Sequence, residues 1–208
     1  MKYYYFLRHT LFVSLMVISV FSGCAGTEPS RFYRLSTLQD AHMSQDTMKA
    51  DQDVSIGIGP INIPDSHKRP QIVTLTSTNE MDLGEFDRWA GALEDNMATV
   101  IAENLSMLLS TDNIHVYPWS RAVTTDYQVI VDIIRFDGML GENAVLIARR
   151  TVFGEDGQKM LMKKRVQYIE PAEGDDYGAL VAAMSRALAN FSRDTAEAIR
   201  TASKNGVH

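Results

Sequence analysis

The sequence predicts an α+β fold: a mixed, largely antiparallel sheet with two long amphipathic helices packed on one face. Three observations carry this reading. Short β-rich stretches come in runs of neighbours rather than alternating singly with helices, which disfavours a doubly wound parallel sheet. Two longer stretches, 82–110 and 175–206, repeat apolar residues at three- and four-residue spacing. Two segments around the turn Gly154-Glu155-Asp156-Gly157 read as an antiparallel meander.

The chain opens with Lys2 and Arg8, then an apolar stretch from Leu11 to Phe21, then the small residues Ser22 and Gly23. This is the layout of a secretory signal. Arg8, His9 and Thr10 interrupt the roughly 20 apolar residues that a spanning helix needs. Phe21-Ser22-Gly23-Cys24 resembles the bacterial lipobox, with Phe21 where Leu is usual. Cys24 is the only cysteine in 208 residues. The resemblance implies cleavage between Gly23 and Cys24 and a diacylglycerol on the Cys24 thiol, with palmitate-type acyl chains. Each buried methylene contributes about 0.8 kcal/mol, so two or more chains anchor stably where one does not. The other readings of Cys24 are an N-terminal anchor or plain signal peptide with an incidental thiol. Ala25, not Asp, follows the cysteine, which by Gram-negative sorting rules favours the outer membrane, facing the periplasm.

The expected organisation is a signal peptide over 1–23, a lipidated cysteine and short tether over 24–30, and one domain over 31–208. The whole chain has 20 basic and 26 acidic residues. Removing 1–23 takes two basic residues and no acids, leaving 18 against 26, a net charge of −8. With no basic patch, nucleic acid is not the expected partner. Adhesion to an anionic bilayer by charge is equally disfavoured. The lipid is expected to do the holding.

Within the domain, 31–37 alternates apolar and polar residues and predicts a first strand. Residues 38–53 are polar and aperiodic and predict a loop. A second strand over 54–64 is expected to end at Pro60 and Pro64, and a third spans 71–77. A helix over 82–110 follows, with Asp82 and Glu85 at capping-box spacing and Met81 and Phe86 as a staple. Its buried stripe reads Trp89, Leu93, Met97, Val100, Ile101, Leu105 and Leu108. Short strand 113–118, long central strand 126–138, and strands 142–154 and 158–170 come next. The closing helix carries Tyr177, Val181, Met184, Leu188, Phe191 and Ile199 on one side, Arg200 and Lys204 at its C-terminal dipole, and Gly206 at its end. The expected order is β-β-β-α-β-β-β-β-α.

The sequence offers little catalytic chemistry. His9, His42, His67, His115 and His208 show no metal-ligand spacing, and no second cysteine is present for a zinc site. Gly57-Ile58-Gly59-Pro60 does not continue into a helix as a dinucleotide fingerprint does. No nucleophile elbow occurs. Glu155-Asp156 reads as a solvated turn and Asp175-Asp176 as a helix cap, with a carboxylate dyad as the sharper alternative. Met160-Leu161-Met162 reads as a packed strand, with a lipid groove as the alternative.

Several stretches occur together and in order: Phe32-Tyr33-Arg34-Leu35, Ile56-Gly57-Ile58-Gly59-Pro60, Ile63-Pro64 and Arg69-Pro70-Gln71-Ile72-Val73. Asp87-Arg88-Trp89-Ala90 with Leu93, Asn104-Leu105, Val116-Tyr117-Pro118 and Asp126-Tyr127 follow. The pattern resembles the ABC-type transport auxiliary lipoproteins, the PqiC/YmbA family, from about residue 31 to 200. The resemblance implies a non-enzymatic component of an intermembrane transport system for lipids or other hydrophobic molecules. Its implied partners are an MCE-domain periplasmic protein and a membrane permease, with homo-oligomer formation and no cofactor. Phe32, Tyr33, Arg34, Leu35, Pro60, Pro64, Gln71, Arg88, Trp89, Leu93, Tyr117 and Pro118 are then expected to be fold determinants, and no catalytic residue carries over. The alternatives are a structural envelope lipoprotein without a transport role and a lipid-anchored hydrolase.

Overall fold

A computed structural model describes residues 3–4, 28–40, 54–119, 123–155 and 157–204. Cys24, the Gly23–Cys24 bond and Gly206 lie outside the described residues. The strands are β1 Arg31–Tyr33, β2 Ile56–Asn62, β3 Gln71–Ser77, β4 Glu80–Trp89, β5 Ile114–Val116, β6 Tyr127–Gly138, β7 Asn143–Gly154 and β8 Lys159–Pro171. The helices are α1 Leu93–Leu109 and α2 Tyr177–Lys204, with a short 3-10 turn at Asp65–His67. The α+β class, the long antiparallel ladders and the two amphipathic helices are as the sequence predicts. The strands fall into two sheets, ordered β1-β4-β3 and β5-β2-β6-β7-β8.

The five-stranded sheet carries the core. Its meander pairs β6 with β7 and β7 with β8, both antiparallel, while β2 lies parallel to both β5 and β6. Along β7, Ala144, Leu146, Ala148 and Val152 are buried at period two, and α2 lies over that strand. Both helices pack on this sheet, α1 on β2 and β5, α2 on β6, β7 and β8. Leu93, Met97, Val100, Ile101 and Leu105 of α1 and Val181, Met184, Leu188, Phe191 and Ile199 of α2 are all buried. Each large apolar side chain so placed contributes about 1.5–3 kcal/mol. Met160 is exposed and Leu161 and Met162 are half-buried, so that run packs only in part.

Where helix meets helix, polar atoms are matched. Ser185, Ser192 and Thr195 donate to the carbonyls of Val181, Leu188 and Phe191 at 2.8, 2.9 and 2.7 Å. Asn104, fully buried, donates to Ser192 Oγ at 3.3 Å. Arg200 donates to the Leu108 carbonyl. It therefore caps the last turn of α1 and not only, as its position suggested, its own helix. Arg150 is buried under α2, donates to Thr195 Oγ1 at 3.0 Å and lies 6.0 Å from the Phe191 ring centre. Burial lowers its pKa.

Four expectations need correction. The expected helix start at 82 is a strand: Glu80–Trp89 pairs with β3 on one side and β1 on the other. The Asp82–Glu85 box and the Met81–Phe86 staple therefore do not form. Trp89 ends that strand and Leu93 begins α1, so their four-residue spacing joins two elements rather than two turns of one. The cap of α1 is Ala92, without a side-chain bond, and Glu94 and Asp95 in its first turn favour the dipole. The C-terminus agrees with the sequence: Ser110 closes α1 in a left-handed conformation, φ 52°.

The first strand is shorter than 31–37. Beyond Tyr33 the amide groups of Leu35, Ser36 and Leu38 donate to Asn96 Oδ1, Ser185 Oγ and Asn104 Oδ1, at 2.7, 3.1 and 2.8 Å. Amides committed to helix side chains cannot extend a ladder. Leu38, placed in the polar loop by its sequence neighbourhood, is buried. Lastly, Pro60 does not end its strand. β2 passes through a register shift between Ile58 and Ile61 and continues to Asn62, the kind of bulge that tolerates proline. Asp176 fits its predicted role, accepting from the Ala179 amide at 2.7 Å at the start of α2.

Candidate functional site

The three-stranded sheet gathers residues that are far apart in sequence. Arg31, Phe32 and Tyr33 of β1 stand opposite Asp87, Arg88 and Trp89 of β4, in parallel register. Gln71 of β3 faces Arg88 from the other side. Phe32, Arg88 and Gln71 thus form one row across the sheet, and Tyr33 and Trp89 the next rung. Backbone bonds lock the corner: Trp89 N–H to Pro70 O at 2.7 Å and Ala90 N–H to Tyr33 O at 2.8 Å.

One buried carboxylate organises this corner. Asp87 accepts from Arg31 Nε at 2.8 Å and Nη2 at 2.9 Å, and from the Tyr33 hydroxyl at 2.7 Å. Burial opposes its ionisation, but the bonds from Arg31 and Tyr33 and the Arg31 charge outweigh that, holding its pKa below the ordinary carboxylate value. The same contacts act oppositely on Tyr33, whose pKa burial and the Asp87 bond push up to about 12. Tyr33 also leans towards Tyr177 of α2, with ring centres 6.5 Å apart.

Beside this network lies an open cleft of about 340 Å³, walled by Tyr33, Arg34, Trp89, Ala90, Gly91, Ala92, Asp95, Asn96 and Thr99. Trp89 is 5 % exposed and forms its floor, while Arg34 and Asp95 place opposite charges at its exposed edge. Asn96, which no sequence motif singled out, holds the Leu35 amide and so fixes the wall. The cleft is open and of mixed polarity. Its side chains supply no nucleophile with an adjacent base. Among the described residues, no group of three or more His, Cys, Asp and Glu is arranged to hold a metal ion. Nor, among them, is any helix long and apolar enough to cross a membrane.

The remaining family-motif residues divide between two other places. Pro60, Tyr117 and Pro118 meet where β2 and β5 end: Tyr117 N–H donates to Ile58 O at 2.8 Å, and the Tyr117 ring stands edge-on to Trp119 at 5.5 Å. The Gly59-Pro60 and Tyr117-Pro118 peptides are both cis. Gly59 has φ 109°, and a Cβ there would sit 2.9 Å from the Tyr117 Cβ. Pro64 precedes the 3-10 turn that leads to β3, where His67 is buried with its Nε2 unpartnered. Burial lowers the His67 pKa. Leu93, first in α1, is core. Phe32 is 66 % exposed, so it is not a packing determinant within this chain.

The fold has close counterparts. A crystal structure of an uncharacterized protein superposes with a TM-score of 0.67 at 17% identity, covering 83% of this chain and 99% of that one. Protein XCC0632 from Xanthomonas campestris, of family DUF330, gives 0.67 at 13% identity, covering 84% and 99%. No curated protein matches the chain. The sequence model of one family matches residues 33–196, which takes in Tyr33, the Asp87 corner, the cleft and most of both helices. On that match the chain belongs to the ABC-type transport auxiliary lipoprotein component family, membrane-anchored envelope proteins that serve an ABC-type transport system.

Proposed function

We propose that this protein is a non-enzymatic scaffold of an intermembrane transport system for lipids or other hydrophobic molecules. In this reading Cys24 is the lipidated residue of an outer-membrane anchor, and the domain docks an MCE-domain periplasmic protein and, through it, a permease. The family match over 33–196 carries the reading. The cleft beside Tyr33 and Trp89 supports it, because it is a recess of mixed polarity to which the motif residues Tyr33, Arg34, Trp89 and Ala90 contribute. Six residues separate Cys24 from Arg31, seven chain steps and at most about 24 Å, so the domain works close to its membrane. Tethering of both partners to one envelope raises their local concentration, and a micromolar intrinsic affinity then suffices.

The test is titration of the full-length protein in detergent with the periplasmic part of its cognate MCE-domain protein, backed by crosslinking in intact cells. Binding that is weakened by charge reversal at Arg34 or Asp95 supports docking at the cleft. Absence of both binding and crosslink defeats the reading and leaves a structural envelope lipoprotein.

A further inference from the structure

The outer half of the hairpin formed by β3 and β4 stands clear of the domain. From Thr76 to Leu83 every residue is exposed, and Leu75 is half-buried. β1 pairs only with Asp87–Trp89, so it gives no cover to the outer half of the hairpin. The arm is two-faced. Register places Leu75 opposite Met81 and Val73 opposite Leu83, which puts these four on one face. Exposure along that face rises from 3 % at Val73 to 39 % at Leu83 and 52 % at Met81. The other face carries Thr74 and Asp82; beyond Leu75 the register shifts, and Ser77 pairs with Glu80 at the tip.

The direction of β1 says what lies beyond this arm. β1 runs parallel to β4 with Arg31 level with Asp87, so the chain enters β1 from the side of the hairpin tip. From Asp87 back to Met81 is six residues of strand, at most about 20 Å. From Arg31 back to Cys24 is seven chain steps, at most about 24 Å. Cys24 is therefore within chain reach of the level of the tip, and a surface that holds it is also within reach of Met81 and Leu83.

We propose that this hairpin is a second membrane contact, laying Leu75, Met81 and Leu83 on the bilayer interface beside the lipid anchor. The proposal rests on the reading of Cys24 as the anchor. The lipid held is uncharged or zwitterionic at its headgroup: Asp82 lies on the arm's opposite face, Glu80 stands exposed at its tip, and the chain is net acidic. Two attachment points, acyl chains and hairpin, fix the orientation of the domain, whereas a single attachment point leaves it free to turn. A fixed orientation holds the Tyr33–Trp89 cleft at a set height above the membrane.

The test uses the full-length lipidated chain in phosphatidylcholine vesicles. Cys24 is acylated in that protein, so a thiol introduced by Met81→Cys, or by Gln158→Cys in the turn between β7 and β8, takes an environment-sensitive fluorophore selectively. A nitroxide-bearing lipid should quench the probe at 81 at least about twofold and leave the probe at 158 unchanged. Adding phosphatidylglycerol should weaken the quenching, as should Leu83→Glu, while Leu83→Met should not. Membrane-bound protein with no quenching at 81 overturns the proposal. So does a probe shielded from aqueous iodide yet untouched by the lipid quencher, which identifies a protein on the arm. Failure of the anchor reading shows separately, as absence of palmitate label on the wild-type chain, and the arm is still read in the same vesicles.

Discussion

Arg31 and Asp87 meet in a two-pronged ion pair across the parallel β1–β4 ladder, Nε to Oδ1 at 2.8 Å and Nη2 to Oδ2 at 2.9 Å. The carboxylate is buried and the guanidinium more than half exposed. The pair joins the first ordered strand of the domain to the strand that leads into α1.

Acid should loosen this joint. The folded pKa of Asp87 lies below its unfolded value, so its contribution to stability is fully present above about 3.8 and is lost as pH falls through the folded value. Asp87→Asn should lower stability at neutral pH and flatten the stability curve on the acid side. Urea unfolding midpoints between pH 2 and 7 check this; parallel curves for wild type and variant would contradict it.

Trp89 closes β4 and floors the cleft while remaining 5 % exposed. Trp89→Ala should cost about 3–5 kcal/mol from lost burial and the cavity left behind. That is a large share of a typical total of about 5–15 kcal/mol, so thermal unfolding should shift strongly downward. Trp89→Phe should recover much of the loss.

Gly59→Ala meets two obstacles at once, a positive φ of 109° and the Tyr117 Cβ at 2.9 Å. A destabilisation of more than about 1 kcal/mol is expected, since alanine is strained at such a φ. Pairing it with Tyr117→Gly should relieve only the contact. A double-mutant cycle by chemical denaturation separates the two parts.

Cys24→Ala should abolish metabolic labelling with radioactive palmitate and release the chain from its lipid anchorage, read by membrane fractionation. Unchanged labelling would remove the basis for the anchor reading.

Sequence alone was enough for the α+β class, for both helices' buried stripes, for β6 as the central strand and for the β7–β8 meander. These are local signals: side-chain period and turn composition state which face is apolar, and burial then follows. The motif order likewise pointed to the transport auxiliary lipoproteins, because family identity is a linear property. The tertiary structure alone decided that 80–89 is a strand. Its apolar residues fit a helical period as well as an extended one, and only hydrogen bonds to β1 and β3 on its two edges choose between them. It alone brought Arg31, Tyr33 and Asp87 together over 54 and 56 residues of separation. Such a junction has no period and no fixed spacing, because ion-pair geometry depends on strand register, and register is set by the whole sheet rather than by either segment.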